Sequence, residues 1–220
     1  MERTKKMKKP HSGLEVEFLF GDIFDSECEA IVNPVNCVGI MGKGLAKQFK
    51  EKFPDNFQRY QKCCDSRKLT IGTCLTVPEA GKLIVNFPTD HYKYPSKEAY
   101  IEEGLDALVR HIHHFKIKSI AIPPIGCGLG GLDFRMVKNM IISKLKALDI
   151  YLELFLPEDY LLTHSCSDHI ELADQQLVNV FNNAGNLVGK EVAYSYYCSI
   201  CLKAIITNGD PIPEVNAKYL

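Results

Sequence analysis

The residues in this sequence best placed to do chemistry are its glycines. Gly126, Gly128, Gly130 and Gly131 cluster in the stretch Ile125-Gly-Cys-Gly-Leu-Gly-Gly-Leu132. A loop with so little side-chain bulk can lay its backbone N–H groups against an anion, and the helical pattern that starts at Asp133 adds the positive end of a dipole. A phosphate or diphosphate is the natural guest. The same glycines also suit a tight αβ turn that binds nothing, and on this loop alone the two readings stand level. A second stretch, Asn36-Cys-Val-Gly-Ile-Met-Gly-Lys-Gly-Leu-Ala46, carries Gly39, Gly42 and Gly44. Neither loop has the Walker spacing or the G-x-G-x-x-G of a dinucleotide fold, which disfavours nucleotide triphosphate hydrolysis and hydride transfer. Gly21-Asp22-Ile23 offers a carboxylate that either accepts hydrogen bonds from an amine and ring edge or caps the next turn.

These loops need elements to hold them. The apolar run Ser119–Ile122 feeds the first loop. Ala30–Val35, a short buried strand closed by Pro34, feeds the second. Each loop therefore lies between a strand and a helix, and in an open α/β sheet both rim one cleft beyond the strands' carboxyl ends. Bulk added at Gly128 or Gly130 should then cost binding and leave the fold intact. Leu14–Phe20 and Ile150–Leu156 read as further strands. Thr73–Val77 and Leu83–Phe87 read as a pair joined at Glu79-Ala-Gly81. The second of these leads into the polar, aromatic loop Pro88-Thr-Asp-His-Tyr-Lys-Tyr-Pro95, which faces the same cleft. Helical spacing marks Leu45 to Phe53, Asp55 to Lys62, Lys97 to Phe115 and Asp133 to Leu148. His111, His113 and His114 read as surface residues at a helix C-terminus.

The 220 residues allow one domain with a large core plus an appendage, and the formal net charge of −1 suggests no broadly basic surface. Residues 1–13 read as a basic, solvated tail with Arg3, Lys5, Lys6, Lys8 and Lys9. Residues 14–157 form the main domain. Residues 158–220 read as a small, mainly helical extension of open role. Nine cysteines, an odd number with no secretory signal, suit reduced thiols and a cytoplasmic location. Cys63, Cys64 and Cys127 read as packing residues. Cys198-Ser-Ile-Cys201 is a lone C-x-x-C, with His164, Cys166 and His169 upstream as candidates for the missing ligands, and no metal is expected. No segment approaches the roughly 18 apolar residues of a membrane span.

Taken together, Gly21-Asp22-Ile23, Asn33, Asn36, Met41-Gly-Lys-Gly-Leu-Ala46, Phe87-Pro-Thr89 and Pro124-Ile-Gly-Cys-Gly-Leu-Gly-Gly-Leu132 resemble the macro domain family. They look most like the branch with terminal ADP-ribose glycohydrolase and the antitoxin macro domains that remove ADP-ribose from DNA. The resemblance implies a three-layer α/β/α fold on a mixed six-stranded sheet, binding ADP-ribose without a cofactor. It assigns the adenine to Asp22 and Ile23, with Gly21 beside them, and the distal ribose to Asn36, with Asn33 and Met41 nearby. The diphosphate and distal ribose would lie between Gly42, Lys43 and Gly44 on one side and Ile125, Gly126, Cys127, Gly128, Leu129, Gly130, Gly131 and Leu132 on the other. Thr89 completes the ligand-binding set.

One departure stands out. The hydrolytic branch has a lysine after the Phe-Pro-Thr-like segment, and this sequence has Asp90. Asp90 as general base or electrostatic stabiliser, Lys93 as a displaced substitute, or Lys43 from the other rim would carry catalysis. The resemblance thus implies an ADP-ribosyl hydrolase acting on modified protein or DNA. A non-catalytic ADP-ribose reader and an ADP-ribose 1″-phosphate phosphatase are the alternatives. The antitoxin branch also implies an ADP-ribosyltransferase toxin as partner.

Overall fold

The computed structural model describes residues 13–157. The basic tail up to residue 12, the helical extension expected after Pro157, and Cys198 and Cys201 with His164, Cys166 and His169 lie outside the described residues. The strands are β1 (Glu15–Leu19), β2 (Ala30–Asn36), β3 (Leu75–Glu79), β4 (Lys82–Asp90), β5 (Ser119–Ile122) and β6 (Tyr151–Phe155). The helices are α1 (Gly44–Lys52), α2 (Pro54–Asp65), α3 (Glu98–Phe115) and α4 (Phe134–Leu145). One mixed six-stranded sheet has the order β1-β6-β5-β2-β4-β3. β2 runs parallel to both β4 and β5, while β3 and β4 form an antiparallel hairpin turned at Ala80 and Gly81.

The layering follows from strand alternation, because successive side chains of β4 leave opposite faces. Asn86 points to α2, where its Nδ2 donates to Asn56 Oδ1 at 2.6 Å. Phe87 points to α3, where its ring packs so close to Gly104 that a Cβ there would lie 2.3 Å from it. Helices thus cover both faces, giving the α/β/α sandwich. The α3 residues Ile101, Leu105, Leu108 and Ile112 form a buried stripe, as their spacing requires.

Two strands run further than the apolar runs suggest. β2 continues through Pro34 to Asn36, and β4 continues through Pro88 and Thr89 to Asp90. The ladder explains both extensions. Pro34 pairs with Phe87 and Val35 with Pro88, but Asn36 then pairs with Asp90, so Thr89 is an extra residue in β4. A bulge of this kind accommodates residues that cannot donate to the ladder and re-aims the chain beyond it.

By its internal contacts the chain divides into two compact units, whose described residues are 13–16 with 27–153 and 17–26 with 154–157. The loops that follow β2, β4 and β5 belong to the first. In the second, Leu156 N donates to Leu19 O at 2.8 Å. Asp22 Oδ1 accepts from Phe24 N at 2.9 Å and caps the short 3-10 turn Ile23–Asp25, with Gly21 at φ +125° before it. Asp22 is exposed and Ile23 is buried. The capping reading of Asp22 is therefore realised locally.

Candidate functional site

Because β5, β2 and β4 are adjacent and parallel, the loops leaving their carboxyl ends emerge along one edge of the sheet. Among the described residues, five of the six exposed large hydrophobics sit on these loops: Val38, Ile40, Tyr92, Tyr94 and Leu129. Apolar side chains gathered at one sheet edge mark that edge as a binding surface.

Asn36 shapes the loop after β2. Its Oδ1 accepts from Val38 N (3.0 Å), Ile40 N (3.4 Å) and the Tyr60 hydroxyl (2.8 Å), and its Nδ2 donates to Ile40 O (2.6 Å). Tyr60 is fully buried and its hydroxyl also meets Asn36 O at 2.9 Å, anchoring this loop to α2. The loop then exposes Gly42, Lys43 and Gly44. Lys43 is the N-cap of α1 but supplies no capping side chain, and the first turn has no acidic residue. Among the described residues the N–H groups of Gly42, Lys43 and Gly44 have no hydrogen-bond partner. These orphan donors and the helix dipole make an electropositive rim.

The glycine loop after β5 is held by its own backbone: Cys127 N to Pro124 O (3.2 Å), Gly131 N to Gly128 O (3.1 Å) and Leu132 N to Gly126 O (3.0 Å). Gly126 and Gly131 take φ of +73° and +76°, a conformation that favours glycine. Among the described residues, the successive N–H groups of Gly128, Leu129 and Gly130 are left without partners. Gly128 and Leu129 are exposed, whereas Ile125 is fully buried and supports the loop from beneath. Burial pushes the Cys127 thiol up to about 12, helped by the charge of Asp133. It stays protonated and reads as packing, not as a nucleophile.

The dipole expected from the helix after this loop is offset. Asp133 Oδ1 accepts from Arg135 N (2.7 Å) and Met136 N (3.3 Å), placing a carboxylate on the N-terminus of α4. Of the two helices that follow the glycine loops, α1 is the one with a bare positive end.

The segment after β4 joins the two loops. At its start, Asp90 is the ladder partner of Asn36; at its end, Ser96 N donates to Gly130 O at 3.1 Å. Asp90 is partly exposed, and its carboxylate is oriented by Tyr92 N at 2.6 Å on one oxygen and by Thr89 Oγ1 at 3.2 Å on the other. Lys93 is exposed with φ +69°, its Nζ 5.7 Å from the Tyr92 ring centre. Ser96 is buried under the glycine loop, and its Oγ has no partner among the described residues. A Cβ on Gly130 would lie 2.2 Å from that Oγ and 2.4 Å from Gly126 O, so this glycine is sterically required. The expectation that bulk at Gly130 leaves the fold intact does not extend to that position.

The structure therefore brings Asn36, Gly42, Lys43, Gly44, Asp90, Lys93, Gly128, Leu129, Gly130 and Gly131 to one edge. It does not expose Asn33, Met41, Thr89 or Ile125, which are buried. Asn33 Nδ2 donates to Asn86 Oδ1 at 3.0 Å and lies 3.9 Å from the Met41 sulfur, in a buried amide chain with Asn56. Sequence reasoning missed Ser96, the anchoring role of the Tyr60 hydroxyl and this amide chain. An asparagine inside an apolar strand, at both Asn33 and Asn86, was the available signal for the last. His111 is not a free surface residue, since its Nδ1 lies 2.8 Å from Thr76 Oγ1 and its ring is half-buried.

A mixed α/β/α sandwich with two amide-lined loops at the carboxyl edge defines a class, and the comparisons agree with it. The macro domain family model matches residues 32–141, half of the chain, and the chain belongs to that family. Its relatives include proteins named DNA ADP-ribosyl glycohydrolase. The one from Mycobacterium tuberculosis is 45% identical over 133 residues, 58% of this chain and 38% of the relative. The one from Thermus aquaticus is 45% identical over 140 residues, 61% of this chain and 39% of the relative. The chain thus spans about two-fifths of the length of these relatives. Among solved structures, the macrodomain of Thermus aquaticus DarG superposes with a TM-score of 0.63 at 41% identity, over 66% of this chain and 100% of that one. Thermosipho africanus DarTG in complex with ADP-ribose gives 0.65 at 29% identity, over 74% of this chain and 46% of that one.

Proposed function

We propose that this protein is an ADP-ribosyl glycohydrolase that releases ADP-ribose from a modified DNA base. The observation that carries the reading is the pair of unpartnered amide rows, Gly42 to Gly44 and Gly128 to Gly130, with the oriented carboxylate of Asp90 at the carboxyl end of β4 beside Asn36. Neutral amides suit a diphosphate in a protein of net charge −1. The names of the relatives support DNA as the carrier of the modification. A fusion protein of Thermosipho africanus, named for both a DNA ADP-ribosyl transferase and a glycohydrolase, is 34% identical over 157 residues and supports a transferase toxin as the opposing partner. No cofactor enters the scheme.

In the reaction, water attacks the anomeric carbon of the distal ribose as the bond to the DNA base breaks. Asp90 takes a proton from that water, and the departing base takes one from solvent, giving ADP-ribose and the repaired base. Tyr92 N and Thr89 Oγ1 each occupy one carboxylate oxygen but leave a lone pair on it for this role. The departure from the family lysine favours a second reading, a binder without turnover, and one experiment separates them. ADP-ribosylated single-stranded DNA and ADP-ribosylated protein are incubated with the parent and with Asp90→Asn, and ADP-ribose affinity is measured beside them. The parent should release ADP-ribose from DNA over many turnovers, with the variant roughly 10²- to 10⁴-fold slower at similar affinity. Tight binding with no release by the parent would leave only the binder.

A further inference from the structure

The segment between Asp90 and Glu98 is more than a strap across the two loops. Its residues are His91, Tyr92, Lys93, Tyr94, Pro95, Ser96 and Lys97: two tyrosines, two lysines and a histidine, with no acid. All but Ser96 are exposed, Tyr94 at 68% and Tyr92 at 38%. An aromatic ring left this far in water at a binding edge offers a flat stacking face. The segment is also built to hold those rings out. Tyr92 and Lys93 take consecutive positive φ values of 50° and 69°, which cost non-glycine residues energy and persist only where surrounding contacts impose them. Those contacts are Tyr92 N to Asp90 Oδ1 at one end and Ser96 N to Gly130 O at the other.

Resting on the DNA-directed reading above, we propose that this segment is a single-stranded nucleic acid subsite. Tyr92 and Tyr94 stack on bases flanking the modified nucleotide, and Lys93 and Lys97 supply charge for its phosphates. Aromatic faces interleaved with cations are what sequence-tolerant binding of single strands requires, since every base has a π-face and every linkage a charge. A duplex keeps its bases stacked and presents no such faces. An acidic peptide could use the lysines but would gain little from two exposed tyrosine rings.

The test uses the full chain and a fluorescent, unmodified single-stranded oligonucleotide, read by anisotropy, with calorimetry of free ADP-ribose alongside. Tyr94→Ala should weaken oligonucleotide binding roughly 5- to 100-fold, the range of one base–aromatic stack. Tyr94→Phe should restore it, and ADP-ribose affinity should be unchanged in both. The basic residues Arg3 to Lys9 also attract phosphate, so the titration is repeated at higher salt. Their share falls with salt, while the factor lost with Tyr94 persists. Equal oligonucleotide affinity in parent and Tyr94→Ala overturns the subsite, as does a parent that binds ADP-ribose but no single strand. Tyrosine-dependent binding of an ADP-ribosylated peptide without binding of the oligonucleotide also overturns it. A parent that binds neither ADP-ribose nor oligonucleotide defeats the underlying functional reading as well.

Discussion

Gly130→Ala adds one methyl group where the loop has no room for it. The new Cβ would stand 2.4 Å from the carbonyl oxygen of Gly126 and 2.2 Å from Ser96 Oγ. The serine can rotate, but the carbonyl cannot move freely, because it accepts from Leu132 N and so closes the loop. Opening that gap to an ordinary contact of about 3.5 Å requires a displacement of about 1 Å. The N–H groups of Gly128, Leu129 and Gly130 would move with it. Misplacement on that scale costs on the order of 100-fold in turnover. Overpacking of this kind costs about 1–3 kcal/mol, and a chain of this size loses about 2–4 °C of Tm per kcal/mol. Gly128→Ala is the matched control. Its Cβ would meet nothing within 4 Å, so its stability should stay within about 0.5 kcal/mol of the parent. Thermal denaturation with and without ADP-ribose, followed by calorimetry, reads both effects. Gly128→Ala should melt like the parent, while Gly130→Ala should melt lower and lose the ligand-induced rise. A Gly130→Ala protein with parental Tm and parental affinity would refute the loop geometry and its assignment to the ligand together.

The buried amide chain makes a second prediction. Asn86→Ala removes the partner of Asn33 Nδ2 and of the Asn56 side chain, all fully buried. Each orphaned group costs about 1–3 kcal/mol, so urea denaturation should show a loss well above 1 kcal/mol with little change in slope. A loss smaller than that would mean the chain is solvated. A third concerns pH. Burial, followed by the charges of His114 and Arg110, lowers the pKa of His111 below its ordinary 6.5. The folded state then binds this proton less readily than the unfolded state. The contribution is fully present above 6.5 and is lost as pH falls through the lowered folded value. Tm measured from about pH 7.5 down to 5 should fall less steeply in His111→Gln than in the parent. Parallel curves would remove His111 from the acid response.

Much of this architecture was legible because it rests on local rules. Ser119–Ile122 is apolar, and it is β5 with those bounds. The glycine clusters fall after strands, and the sheet places them where the doubly wound rule requires. The helical pattern read from Asp133 onward is α4, which begins one residue later at Phe134. What escaped depends on pairings that no local pattern carries. The family resemblance places Asn33 near the distal ribose, yet the residue is buried. Its burial follows from Asn86 lying opposite it in the ladder, 53 positions along the chain. Ser96 is an unremarkable residue before a helix until its N–H reaches Gly130 O. Gly130 reads in sequence as a position where bulk costs binding alone, but Ser96 from another loop fills the space beside it.

The position of Asp90 shows how one irregularity can matter more than a motif. Prolines at 34 and 88 sit within adjacent strands and cannot donate to the ladder, and directly after them β4 gains one residue on β2. Without the bulge, the partner of Asn36 would be Thr89, and Asp90 would fall one step further along with its side chain on the opposite face. The bulge sets the carboxylate beside the asparagine that shapes the neighbouring loop, and Thr89 Oγ1 and Tyr92 N then fix its direction. A surface aspartate with no structural task would need neither contact. The residue that stands where the resemblance implies a lysine is therefore held in place by the backbone beside Asn36, with its carboxylate pre-oriented, and a general base as proposed above needs that fixed geometry.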